Sequence, residues 1–127
     1  MNDLKRLEKL AWRARRAFER VAEEDRWPSD LGGLCLDASE FLWKLAKENG
    51  ITTEIGEGLG HWFVLFGDMI IDITSTQFGQ PEKVAIIHYA EAGNIGDWWK
   101  LIKRHKKPSI EGDRYLVQMA ERFLEAE

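Results

Sequence analysis

Asp30-Leu31-Gly32-Gly33-Leu34-Cys35-Leu36-Asp37-Ala38-Ser39 is the stretch that decides how this chain is read. It holds the only cysteine, just after two glycines and at the head of an apolar pattern at helical spacing: Leu36, Phe41, Leu42, Leu45 and Ala46. Asn49-Gly50 stops the pattern, which predicts a helix from about Cys35 that ends with Gly50 as a left-handed cap. A thiol in the first turn of a helix lies beside free backbone N–H groups and the positive end of the macrodipole. Both favour the thiolate, the form that attacks a carbonyl carbon. A buried, inert cysteine fits the same local pattern, so the reading of Cys35 turns on what else the chain brings to it.

His61 follows Gly58-Leu59-Gly60 and opens an apolar strand, His61-Trp62-Phe63-Val64-Leu65-Phe66. Gly67-Asp68 is a two-residue hairpin signal with glycine first, and Met69-Ile70-Ile71-Asp72-Ile73-Thr74 reads as the returning strand. This register pairs Phe66 with Met69. Alternation then puts His61, Phe63 and Leu65 on one face with Ile70, Asp72 and Thr74. Asp72 becomes the diagonal neighbour of His61, roughly 7–8 Å away at Cα. A lone carboxylate among Ile70, Ile71 and Ile73 needs a partner, and an imidazole N–H is a suitable one. Cys35, His61 and Asp72 are thus candidates for nucleophile, base and orienter.

These residues resemble the transglutaminase-like branch of the papain-like cysteine hydrolase superfamily. The resemblance rests on Gly33-Leu34-Cys35, the helix ending at Asn49-Gly50-Ile51, the Gly60-His61-Trp62 strand and Asp72-Ile73-Thr74, in the order Cys, His, Asp. It covers about Leu31 to Phe78. It implies Cys35 as nucleophile, His61 as general base and acid, and Asp72 as orienter. It also implies peptidase, amidase, deamidase or acyltransferase chemistry without naming a substrate.

Outward from this centre, 127 residues predict a single domain over 1–127 with a catalytic core of about 31–90. A net charge of −4 argues against a nucleic-acid partner. One cysteine excludes an intrachain disulfide framework and suits a reducing compartment. Lys5, Arg6, Glu8 and Lys9 break up the first apolar residues, so no signal peptide is read there. No apolar run approaches the roughly 18 residues of a membrane span. The expectation is a cytoplasmic protein with no cofactor, no membrane partner and a protein or peptide substrate.

A first helix is predicted over about Asp3 to Glu24. Leu4, Leu7, Ala11, Ala14, Phe18 and Val21 form its core stripe, Leu10, Ala17 and Ala22 widen it, and Arg13, Arg16, Glu19, Arg20 and Glu23 face outward. Pro28 restricts Trp27 and ends the element. Trp27 is a candidate indole donor to an oxyanion, against the plainer reading of a core cover. Ser29 or Asp30 is expected to cap the turn entering the glycine pair.

Ile51–Ile55 reads as a strand and Gly56–Gly60 as a glycine-rich loop that lets a substrate chain pass close. Its spacing is not that of a phosphate-binding loop. Glu54 and Glu57 are read as a solvated strand end. Trp62 is expected on the face opposite His61, with Val64 and Phe66, in a sheet buried on both faces. Gln77, in the loop after Asp72, is a candidate donor to a substrate carbonyl, against a loop hydrogen bond. Lys83–Tyr89 reads as a strand whose His88 rivals His61 as base. Cys35, His61, Asp72 and His88 are weighed as a zinc set, but no Cys-x-x-Cys or His-Glu-x-x-His pair supports it. A helix is predicted from Asn94–Asp97, with Trp98, Leu101 and Ile102 inward and a basic end at Lys103–Lys107. Pro108 would stop it. A turn over Ser109–Asp113 and a last helix to about Ala126, with Leu116, Met119, Ala120, Phe123 and Leu124 inward, complete the chain.

The predicted class is α+β: a papain-like or transglutaminase-like core in which a nucleophile-bearing helix packs on an antiparallel sheet of three to five strands between N- and C-terminal helices. The predicted function is a cysteine hydrolase or acyltransferase acting on a peptide, isopeptide or side-chain amide through a thioester acyl-enzyme. The alternative is a non-catalytic protein-binding module on the same scaffold.

Overall fold

The structure, a computed structural model, describes residues 2–108 and 112–127. Helix α1 spans Asp3–Glu24, with Asn2 as its cap, and α2 spans Cys35–Glu48. A sheet of five antiparallel strands follows: β1 Glu54–Gly58, β2 His61–Phe66, β3 Met69–Asp72, β4 Ala85–His88 and β5 Lys103–His105, in the spatial order β4-β3-β2-β1-β5. A short 3-10 turn, Ser75–Phe78, follows β3. Helix α3, Tyr89–Ile95, and a second 3-10 turn, Asp97–Trp99, connect β4 to β5, and α4 closes the chain over Arg114–Glu125.

Both faces of the sheet are covered, as the apolar strands imply. Ile55, Val64 and Ile71 pack against a large core with Leu7, Phe18, Leu42 and Leu116 from α1, α2 and α4. Phe63, Leu65, Ile70 and Ala85 face the other way, toward Ala92 and Trp99. Trp62 and Phe66 lie on the α-helical side with Val64, opposite His61, as alternation requires. The stripe of α1 is buried from Leu7 to Ala22, with Leu4 only partly covered, and it docks on α2 and α4. One residue there departs from the pattern: Arg15 is only 2 % exposed. The described part of α4 buries Leu116, Val117, Met119 and Ala120. Among the described residues no helix is long and apolar enough to cross a membrane.

The β2–β3 hairpin forms in the expected register, with Phe66 opposite Met69 and Leu65 opposite Ile70. Three other expectations fail. The strand read at Ile51–Ile55 begins only at Glu54 and continues through the glycines to Gly58, which pairs with His61. The glycine-rich segment is therefore strand plus a two-residue turn, not a loop along a substrate path. Its glycines answer to packing: a Cβ on Gly56 would collide with the Phe63 ring, and one on Gly58 with the Trp98 carbonyl. The helix read from Asn94 onward is absent. Trp99 rather than Trp98 turns inward, Ile102 is 62 % exposed, and the basic run forms edge strand β5 against β1. Helical spacing was misleading there because the open edge of β1 offers ladder hydrogen bonds that a helix would leave unmade. The strand read over Lys83–Tyr89 is shorter, since Tyr89 already begins α3. The turn expected over Ser109–Asp113 lies mostly outside the described residues; Asp113 itself caps α4 by accepting from the Tyr115 N–H at 2.9 Å.

Candidate active site

Cys35 is the first residue of α2, reached through a tight, partly strained turn. Leu31, wholly buried, adopts φ +66°, and Asp30 caps the turn by accepting from the Gly32 N–H at 2.9 Å. A bulky residue in the left-handed region costs on the order of 1–3 kcal/mol, which burial of Leu31 offsets. Leu34, at the N-cap position, offers no side-chain hydrogen bond to the first turn. The early N–H groups of α2 thus keep their polarity for another acceptor near the sulfur. The thiol is partly exposed.

His61 begins β2, on the face away from α2, and its side chain is sealed from solvent. Its Nε2 lies 2.6 Å from Asp72 Oδ2. An ionised carboxylate only accepts, so this contact keeps a proton on Nε2 and leaves Nδ1 as the nitrogen that Asp72 does not hold. Among the described residues Nδ1 is buried without a hydrogen-bond partner. The Cys35 side chain acts on the ring as well, through hydrogen bonding and through its charge when ionised. Its sulfur closes no hydrogen bond to Nδ1. Burial disfavours the charged ring, but the Asp72 carboxylate and then the Cys35 thiol outweigh it, and His61 is pushed up from 6.5 to about 9.

Asp72 is 1 % exposed and fully partnered. Oδ1 accepts the Thr74 N–H at 2.8 Å and the Thr74 hydroxyl at 3.3 Å, while Oδ2, besides His61, accepts the Trp99 indole N–H at 2.7 Å. Burial would raise this carboxyl. The His61 charge and hydrogen bond, the Thr74 N–H and the Trp99 indole hold it below its ordinary 3.8 instead. Phe78 meets the His61 ring edge-on, with centroids 4.8 Å apart, and stacks on Trp98 at 4.7 Å. The imidazole is thereby flanked by aromatic carbon.

The other candidates are placed elsewhere or engaged elsewhere. The Trp27 indole donates to Asp25 Oδ2 at 3.0 Å, and its ring packs over Gly33. It braces the turn before Cys35, and its N–H is already used. Gln77 donates to the Thr74 carbonyl at 3.0 Å, a loop hydrogen bond. His88 sits across β3 from Met69, at the far end of the sheet from His61, where its Nδ1 accepts the Ala90 N–H at 3.2 Å and caps α3. The four-residue zinc set is therefore not assembled, and among the described residues no three His, Cys, Asp or Glu side chains could hold a metal ion. Glu54 pairs with Arg104 at 3.1 Å and Glu57 with His105 at 3.1 Å, both across the β1–β5 ladder. Sequence reasoning missed Trp99, Phe78 and Arg15. Trp99 carries no local signal, because its partner lies 27 residues away in the chain.

No family model, no curated protein and no solved structure matches the chain.

Proposed function

We propose that the protein is a cysteine hydrolase or acyltransferase of the transglutaminase-like, papain-like kind that its Cys, His, Asp order resembles. The observation that carries this reading is the His61 ring. It is sealed from water, bound through Nε2 to Asp72, left with a buried Nδ1 that has no partner among the described residues, and acted on by the Cys35 side chain. With Nε2 committed to Asp72, Nδ1 is the nitrogen left to exchange a proton with the thiol.

The chemistry follows from these positions. With His61 pushed up to about 9, Nδ1 holds the proton that the thiol gives up, and the sulfur attacks the carbonyl carbon of an amide as the thiolate. The resulting oxyanion lies near the free N–H groups at the start of α2. Asp72 stabilises the imidazolium without taking its proton. His61 then gives that proton to the departing amine, and the C–N bond breaks to leave a thioester on Cys35. Water or a second amine, deprotonated by the same nitrogen, releases the acyl group and restores the thiol. Peptide, isopeptide and side-chain amides all meet these requirements, and so protein or peptide substrates and a compartment that keeps thiols reduced go with the proposal.

The test is to treat the protein with a library of electrophilic peptide amides and weigh the adducts. The expected result is one acyl adduct on Cys35 in the wild type, lost in Cys35→Ser and strongly slowed in His61→Ala. Labelling of Cys35 at the same rate with and without the imidazole would overturn the proposal.

A further inference from the structure

We infer that Thr76, set in place by Arg15, is a positioning residue that holds the turn leading to Cys35 against the loop leaving Asp72. The inference rests on the thiol–imidazole reading above and deepens it. Arg15 projects from α1 into the interior, 2 % exposed. Its Nη1 donates to the Ile73 carbonyl at 2.8 Å and to Thr76 Oγ1 at 2.9 Å, while Nε pairs with Glu19 at 3.2 Å. Thr76 Oγ1 in turn donates to the Asp30 carbonyl at 2.9 Å. One chain of hydrogen bonds thus crosses from the first helix, through the loop that follows Asp72, to the turn that precedes Cys35.

The direction of each bond is forced. A guanidinium has no lone pair to offer, so the Thr76 oxygen accepts from it and the hydroxyl hydrogen must go to Asp30. A donor charge on that oxygen also polarises the hydroxyl and strengthens the outgoing bond. The two anchor points are close in sequence to the reacting groups: Ile73 is next to Asp72, and Asp30 opens the turn in which Leu31 holds its positive φ. No other described side-chain hydrogen bond joins the Asp30–Leu34 turn to the Asp72 loop. Nucleophile and orienter are delivered by segments far apart in the chain, and Thr76 is where those segments are pinned together. A charged donor is buried in a small protein at this junction because a shift of about 1 Å between thiol and imidazole is enough to cost catalysis heavily.

The experiment uses the full chain, whose single cysteine makes alkylation by iodoacetamide report on Cys35 alone. The rate is followed across pH, beside thermal melting, for the wild type, His61→Ala, Thr76→Val and Thr76→Ser. Thr76→Val keeps the shape and removes both bonds. It is expected to slow labelling near neutral pH about tenfold and to move the pH profile toward that of His61→Ala. Thr76→Ser restores the hydroxyl and is expected to restore both rate and profile, which a merely structural role for the methyl would not do. A folded Thr76→Val with the wild-type profile overturns the inference, and so does a folded Thr76→Ser that stays as slow as His61→Ala. Failure of the thiol–imidazole reading shows separately, as equal labelling of the wild type and His61→Ala.

Discussion

The two ends of the sheet each carry a histidine, and they put it to opposite uses. At one end His61 begins a central strand, loses all contact with water and faces a buried carboxylate. At the other end His88 closes edge strand β4, is partly exposed, stacks on Tyr89 with centroids 4.9 Å apart and caps a short helix. About 17 Å of strand separates them, five residues at the usual rise. Imidazole chemistry is the same in both places. The difference lies in what the second nitrogen is given. His61 has one nitrogen held by Asp72 and the other without a partner among the described residues, whereas His88 uses its Nδ1 on a backbone N–H. A strand histidine becomes a candidate base only when burial and a carboxylate act on it together.

The contrast is broken most severely by removing the carboxylate. Asp72→Ala strands a buried imidazole and a buried indole N–H, and is expected to cost about 3–5 kcal/mol in urea unfolding. The milder Asp72→Asn should retain the fold and lose most of the His61-dependent labelling of Cys35. Next in size is the pH dependence of stability. His61 is pushed up from 6.5 to about 9, so its contribution is complete below pH 6.5 and is lost as pH rises through about 9. Asp72 is held below 3.8, so its contribution is present above that value and is lost as acid protonates the folded carboxylate. Urea midpoints measured across pH should therefore be highest between these limits, and Asp72→Asn should remove the alkaline fall. Catalysis is expected to fall over the same alkaline range, since the leaving amine then loses its proton donor.

A third variant sharpens the comparison. Trp99→Phe keeps an aromatic ring in place but withdraws one of the donors to Asp72 Oδ2, with an expected loss of about 1–3 kcal/mol and a measurable upward move of the acid limit. The smallest effect belongs to the other end of the sheet. His88→Ala loses a helix cap and the stacking on Tyr89, about 0.5–2 kcal/mol by thermal melting, and should leave the alkylation rate of Cys35 unchanged. A His88 variant that slowed labelling as much as His61→Ala would erase the distinction between the two ends.

The same division runs through what was legible beforehand. Helices α1 and α2, the β2–β3 hairpin, its register and the shared face of His61 and Asp72 were all readable from local signals. Apolar spacing of three and four, a glycine-first turn and strict alternation are properties of neighbouring residues. Residues 94–105 were misread for the converse reason. Leu101, Ile102 and the lysines satisfy a helical pattern, but the open edge of β1 captures Lys103–His105 as a strand. The helical pattern assigned Arg15 to neither face of α1, because its partners are in the loop after β3.

From its sequence alone this chain determined its α+β class, the helix that begins at Cys35, and the pairing that lines up an imidazole with a carboxylate, because each depends on periodicity over a few residues. The tertiary structure alone decided that Trp99 shares the carboxylate, that Phe78 and Trp98 wall the ring, and that Arg15 and Thr76 tie the Cys35 turn to the Asp72 loop. A buried polar atom must find a partner wherever the folded chain brings one, and that partner's place in the sequence is unconstrained by local spacing.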